Sequence, residues 1–167
     1  MTFPNTERPK RILASVSLIV VALLSLAFFL TAAARPATDP WPASQALQAS
    51  DLARELGDTS KDSATIVYVG FRTLFLGGHV LGASFHGTTS TEDGLAEFKK
   101  WAATLPHSTN LVIYCGCCPM EKCPNIRPAY TTLHEMGFTR VRVLVLPTSF
   151  AEDWVAKGYP YEKSGNH

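Results

Sequence analysis

No cysteine lies outside residues 115–123, and the four that the chain has are all packed into that stretch. A framework of long-range disulfides is therefore excluded. Bridges among Cys115, Cys117, Cys118 and Cys123 would close only tiny loops and would restrict the unfolded chain little. Charge of either sign is also scarce: Asp, Glu, Lys and Arg make up 17% of the residues and balance to a formal net charge of +1. There is no long basic run and no interleaving of basic with aromatic side chains, so no phosphate-tracking or base-stacking surface is encoded. Nucleic acid is excluded as a partner. Internal repeats are absent too, which removes the solenoid class.

One long apolar run is present. Residues 12–34 carry no charge and are dominated by Leu, Val, Ile, Phe and Ala. As a helix this run would extend about 34 Å, enough to cross a bilayer. Arg8, Lys10 and Arg11 precede it, so residues 1–11 are expected in the cytoplasm and the rest of the chain on the far side. Two outcomes stay open: an uncleaved anchor, or a signal peptide cut after the small residues Ala32, Ala33 and Ala34. The domain is then membrane-anchored on the extracytoplasmic side, or secreted or periplasmic. Residues 35–44, with three prolines, form a linker. Residues 45–162 form the domain and 163–167 a tail.

Within the domain, helical and strand patterns alternate. Leu52 and Leu56 mark a short helix ending at Gly57, and residues 65–69 form a β-branched strand stopped by Gly70. A glycine-rich turn at 77–83 leads to a short strand at Ser84 and Phe85. Ser90 or Thr91 caps a helix whose Leu95, Phe98, Ala102 and Leu105 share one face. Residues 110–114 form the central strand, 126–136 a helix closed by Gly137, and 140–146 a further strand. Ser149 or Thr148 caps a last short helix ending at Gly158. Strands separated by helices imply an α/β fold with a mainly parallel sheet flanked by helices. Ligands of such sheets bind beyond the carboxyl ends of the strands, which is where Cys115 falls.

The cysteine loop therefore joins a strand to a helix N-terminus, a setting that stabilises a thiolate. Cys115 is the candidate nucleophile, open at the rim of the sheet. Cys117, Cys118 and Cys123 are resolving or relay thiols. Gly116, Lys122, Asn125 and Arg127 line the substrate loop, with Lys122 and Arg127 favouring the thiolate electrostatically. Alternatively, Cys115, Cys117, Cys118 and Cys123 bind a metal ion as a thiolate cluster, alone or with His134 or His86. A local disulfide is a third reading. A phosphatase loop needs an arginine six positions after its cysteine, but position 121 is Glu, which repels phosphate. His79, in a glycine turn, reads as a structural hydrogen-bonding group, and Arg72 as an ion-pair or carbonyl-binding residue. Trp101 and Trp154 read as core or rim.

These landmarks resemble those of rhodanese-like domains. Gly78 to Ala83 is similar to that family's GHIPGA turn, and Tyr114-Cys115 to its catalytic start. Gly137-Phe138, the strand that follows, Trp154 and Lys157 to Pro160 are similar to its closing pattern. The resemblance spans residues 45–162. It implies a five-stranded, mainly parallel sheet and sulfur transfer through a Cys115 persulfide. A small sulfur donor and a thiol acceptor would be its partners, and no cofactor is implied. Arg72, Gly78, His79 and Gly82 would be structural family positions. The family's acidic residue before that arginine is missing here, where Gly70 stands. The active loop is about five residues longer than the family's six-residue pattern, and it contains Pro119 and Pro124, which have no N–H to offer an anion. The expected function is an exported, membrane-tethered sulfurtransferase or thiol relay. The alternatives are a scaffold holding a metal or iron–sulfur cluster and an inactive interaction domain.

Overall fold

The computed structural model describes residues 39–58 and 62–164. The apolar run at 12–34 lies outside the described residues, and so do residues 35–38 of the linker. Among the described residues no helix is long and apolar enough to cross a membrane.

The elements, in chain order, are β1 (Ala46–Gln48), α1 (Ala49–Gly57), β2 (Thr65–Tyr68), α2 (Arg72–Gly77), β3 (His79–Val80), β4 (Ser84–Phe85), α3 (Glu92–Ala102), β5 (Leu111–Tyr114), α4 (Ile126–Glu135), β6 (Val141–Val145), α5 (Phe150–Asp153) and β7 (Tyr161–Glu162). Five strands form a parallel sheet in the order β1-β6-β5-β2-β4. β3 and β7 make a separate antiparallel ribbon. The fold is thus α/β with a parallel sheet covered on both faces.

Every residue of the central strand β5 is buried, as expected for a strand with helices on both sides. Side chains alternate between two apolar layers. Val67, Val69, Leu111, Ile113 and Val143 meet Phe98, Ala102, Ile126, Ala129 and Leu133 of α3 and α4. Ile66, Val112, Tyr114 and Leu144 meet Leu52 of α1 and Trp154. α4 forms because Ile126, Ala129, Tyr130 and Leu133 recur at helical spacing and are all buried. Pro128 falls in its first turn, where a missing N–H costs nothing. Caps act at two starts: Thr91 Oγ1 accepts the Gly94 N–H of α3, and Ser149 Oγ accepts the Glu152 N–H of α5. Gly137, at φ +85°, closes α4.

Four elements escape the pattern of the sequence. β1 is only three residues long. α2 occupies the stretch after Gly70, where no helix is expected, and its helical residues include none that is buried. β3 and β7 are two residues each, too short for any periodicity to register.

Candidate functional site

Alternation along β5 decides where Cys115 points. Leu111, Ile113 and Cys115 face the α3–α4 layer, whereas Val112 and Tyr114 face the other. The chain then turns at Gly116, whose φ is +67°. A Cβ there would stand 2.8 Å from Phe150 Cβ and 3.0 Å from Leu146 Cδ1. Only glycine accepts both that backbone and that crowding. The Phe150 N–H donates to the Gly116 carbonyl at 3.0 Å, and the Met120 N–H to the Pro147 carbonyl at 3.1 Å. The loop is stitched to the segment that follows β6.

Cys115 is consequently only 3% exposed. The sequence places it open at the rim of the sheet; the structure corrects this, because the strand aims it inward and the loop folds over it. Its surroundings are nevertheless not hydrocarbon alone. Its Sγ lies 2.9 Å from that of Cys117, which lies 3.4 Å from that of Cys118. The sulfurs of Cys115, Cys117 and Cys123 all fall within 4.8 Å of one another. All four cysteines are free, Cys115 and Cys123 buried, Cys117 and Cys118 half-buried.

Cys123 is the thiol whose anion the site favours. The neighbouring Cys115 thiol, then the backbone N–H groups of Asn125 and Ile126, bring its pKa down to about 6 despite burial. This is a helix N-terminus stabilising a thiolate. Cys115 moves the opposite way, since its proton is held in the hydrogen bond to Cys123 and burial disfavours its anion. Burial, then the contact with Cys117, pushes Cys118 up to about 12.

Asn125 organises the cluster. It is fully buried, and its Nδ2 reaches Cys115 Sγ at 3.6 Å and Cys117 Sγ at 3.8 Å. Its Oδ1 accepts the Ser90 N–H at 3.0 Å, and its carbonyl accepts the Thr89 hydroxyl at 2.6 Å. These bonds fix which way the amide faces, so its donor end is committed to sulfur. Gly70 makes room on the other side: a Cβ there would come 2.9 Å from Cys115 Sγ and 2.5 Å from Tyr68 Oη. Thr89, Ser90, Gly70 and Tyr68 are site-building residues that sequence reasoning missed. The polar run from Thr88 to Thr91 was a signal, although by itself it reads only as a helix cap.

The two basic loop residues are not aimed at sulfur. Lys122 is exposed, with its Nζ 4.0 Å from Glu121. Arg127 donates to the carbonyls of Met120 and Cys123 at 3.2 and 3.3 Å and to Asp39 at 2.6 Å. It clamps the loop. Arg72 lies 4.6 Å over the Phe85 ring, a ring contact in place of an ion pair or carbonyl. Gly78, His79 and Gly82 serve the β3–β7 ribbon instead of the loop. His79 stacks on Phe75 at 3.8 Å, with Nδ1 2.8 Å from the Phe75 carbonyl and Nε2 3.5 Å from Glu162. The Gly82 N–H donates to Glu162 at 2.8 Å. His86 stacks on Trp101 and His134 pairs with Tyr130. Among the described residues, the grouping able to hold a metal is Cys115, Cys117 and Cys123.

No family model matches the chain, and no curated protein matches it. Solved structures do. The rhodanese-like domain of an Anabaena protein is similar at 22% identity and a TM-score of 0.53, over 71% of this chain and 79% of that one. A Bacillus halodurans protein is similar at 17% and 0.56, over 72% and 78%. A thiosulfate sulfurtransferase from Pseudomonas aeruginosa is similar at 18% and 0.52, over 71% of this chain and 19% of that one. The fold of this chain is that of rhodanese-like domains.

Proposed function

We propose that this chain is a sulfur carrier: it accepts sulfane sulfur on its outer thiols, holds it as a Cys115 persulfide and returns it to an acceptor thiol. The observation that carries this reading is the unbroken contact from half-buried Cys118, through Cys117, to buried Cys115 and Cys123. Sulfur moves between neighbouring thiols by thiolate attack, so a chain of sulfurs in contact is a route.

The steps balance. Cys117 gives its proton to solvent and attacks the outer sulfur of thiosulfate, the S–S bond breaks and sulfite leaves, giving a Cys117 persulfide. Cys115 then attacks the sulfane sulfur, and its proton passes to Cys123, whose sulfur lies within 4.8 Å. The products are the Cys115 persulfide, the Cys117 thiolate and the Cys123 thiol. Reversal, with an acceptor thiolate or cyanide attacking a sulfane sulfur returned to Cys117, completes the cycle. The fold shared with a thiosulfate sulfurtransferase supports the chemistry. We further place the domain outside the cytoplasm, tethered or released, on the strength of residues 12–34 and the basic residues before them.

Intact-mass spectrometry of the reduced protein after thiosulfate tests the reading. One added sulfur atom that cyanide removes is expected, with loss of that adduct in Cys117→Ser, which lacks the first acceptor, and a shorter-lived adduct in Cys115→Ser, which lacks the buried store. Full adduct and full turnover in Cys117→Ser, or an adduct as long-lived in Cys115→Ser as in the natural chain, would overturn it.

A further inference from the structure

We propose that Cys115, Cys117 and Cys123 form a three-coordinate thiolate site for a soft d10 cation of the Cu(I) type. The proposal stands on the arrangement of the same cysteines and does not depend on sulfur transfer. Sulfurs bonded to one ion at about 2.3 Å stand roughly 3.8–4 Å apart. The observed separations, from 2.9 Å up to a limit of 4.8 Å, bracket that value. Shifts of about an ångström in the Cys117 segment would close the triangle, whereas Cys115 and Cys123 are already fixed at a strand end and a helix start.

The donor set selects the ion. All three donors are sulfur, and no imidazole or carboxylate belongs to the grouping, which favours soft metals over Mg, Ca or Mn. Zinc asks for four donors. The remaining sulfur is on Cys118, the immediate chain neighbour of Cys117 and in contact with it, an awkward position from which to complete a tetrahedron. The surroundings also lack what a thiolate cluster would otherwise need. Lys122 points to solvent and Arg127 is spent on carbonyls and Asp39. Three thiolates in this loop thus have only N–H dipoles beside them, and a cation supplies the missing charge. The amide of Asn125, held by Ser90 and Thr89, donates to two of the three sulfurs, the kind of outer support that orients metal ligands.

The test is an anaerobic competition titration of the full reduced chain against Cu(I) held by a chromophoric chelator, with Zn(II) titrated in parallel. One Cu(I) taken per chain, with Zn(II) held more weakly, is expected. Failure to draw Cu(I) from the chelator, or tighter retention of Zn(II), overturns the assignment. Cys115→Ser/Cys123→Ser, which leaves only the vicinal pair, should lose stoichiometric uptake; undiminished uptake overturns the site. Because that variant could fold poorly, X-ray absorption of the Cu(I)-loaded natural chain counts the ligands directly: three sulfur scatterers support the site and two overturn it. A chain that binds Cu(I) but never gains sulfur from thiosulfate would sink the carrier reading and leave the metal site standing.

Discussion

The two ends of the sheet are built on opposite principles. Beyond the amino ends of β2, β5 and β6 lies an open cleft of about 630 Å³, lined by Leu52, Glu55, Asn110 and Arg142 among others. Arg142 there meets both oxygens of Glu55 at 2.7 and 2.9 Å and Asn110 at 3.2 Å, and Arg140 meets Asp62 at 2.8 Å. Its arginines are answered from within. At the carboxyl end Cys115 and Cys123 are buried, and Cys115, Cys117 and Cys118 follow one another in sulfur contact without a covalent bond between them. Room without unmet valence does no chemistry, whereas sulfur packed against sulfur beside a helix N-terminus can. The cleft is thus better read as structure and the crowded loop as function.

The sharpest way to break this contrast is to exchange the consequences of mutation at the two ends. Cys117→Ser should lower thiosulfate:cyanide turnover on the order of a thousandfold, as loss of the attacking nucleophile does. Glu55→Gln should leave turnover unchanged while costing about 1–3 kcal/mol in denaturant unfolding, because it weakens a charge-assisted pair. Turnover lost in Glu55→Gln would move the chemistry to the cleft.

Next in size is Gly116→Ala, which imposes a Cβ on a left-handed residue against Phe150 and Leu146. A stability loss of about 1–3 kcal/mol is expected, together with faster alkylation of Cys115 as the loop lifts. Unchanged alkylation in a destabilised protein would show that Gly116 only bends the chain. Gly70→Ala presses directly on Cys115 Sγ and Tyr68 Oη. It should slow sulfur loading more than it lowers stability, which paired turnover and unfolding curves would reveal.

A smaller effect is expected from Asp39→Asn, which weakens the Arg127 clamp on the loop. Exposed or half-exposed pairs contribute about 0.2–1 kcal/mol, so the change should appear as a few-fold rise in cysteine alkylation rate. Smallest of all is His86, stacked on Trp101 at 4.1 Å. Burial lowers its pKa below 6.5, opposed in part by Glu97. The folded state therefore binds its proton less readily than the unfolded state does, so any stability it contributes is kept at neutral pH and lost as pH falls below 6.5. An NMR titration placing His86 above 6.5 would contradict this.

Much of the scaffold is legible in the residues. Strand β5, the face of α4 and the caps Thr91 and Ser149 follow from periodicity and polar punctuation, because local pattern and burial coincide there. The two-residue strands β3 and β7 and the helix α2 do not. The two strands pair with each other across more than eighty residues, as His79 with Glu162 shows, and α2 has no buried face to give it a periodic signal. Within the site, the four cysteines and Asn125 are visible as residues, but the inward aim of Cys115 and the diversion of Arg127 to Asp39 are not. Both depend on contacts between segments far apart in sequence.

The order of residues alone fixed that all sulfur would gather after the central strand, since alternation and helix signals place residues 115–123 between β5 and α4 whatever else the chain does. Which sulfur carries charge was decided only in three dimensions. Cys123 has the Cys115 thiol and the N–H groups at the start of α4 beside it, whereas the equally buried Cys115 faces that neighbouring sulfur, and anion stability depends on such nearby donors and charges, which no spacing in a sequence records.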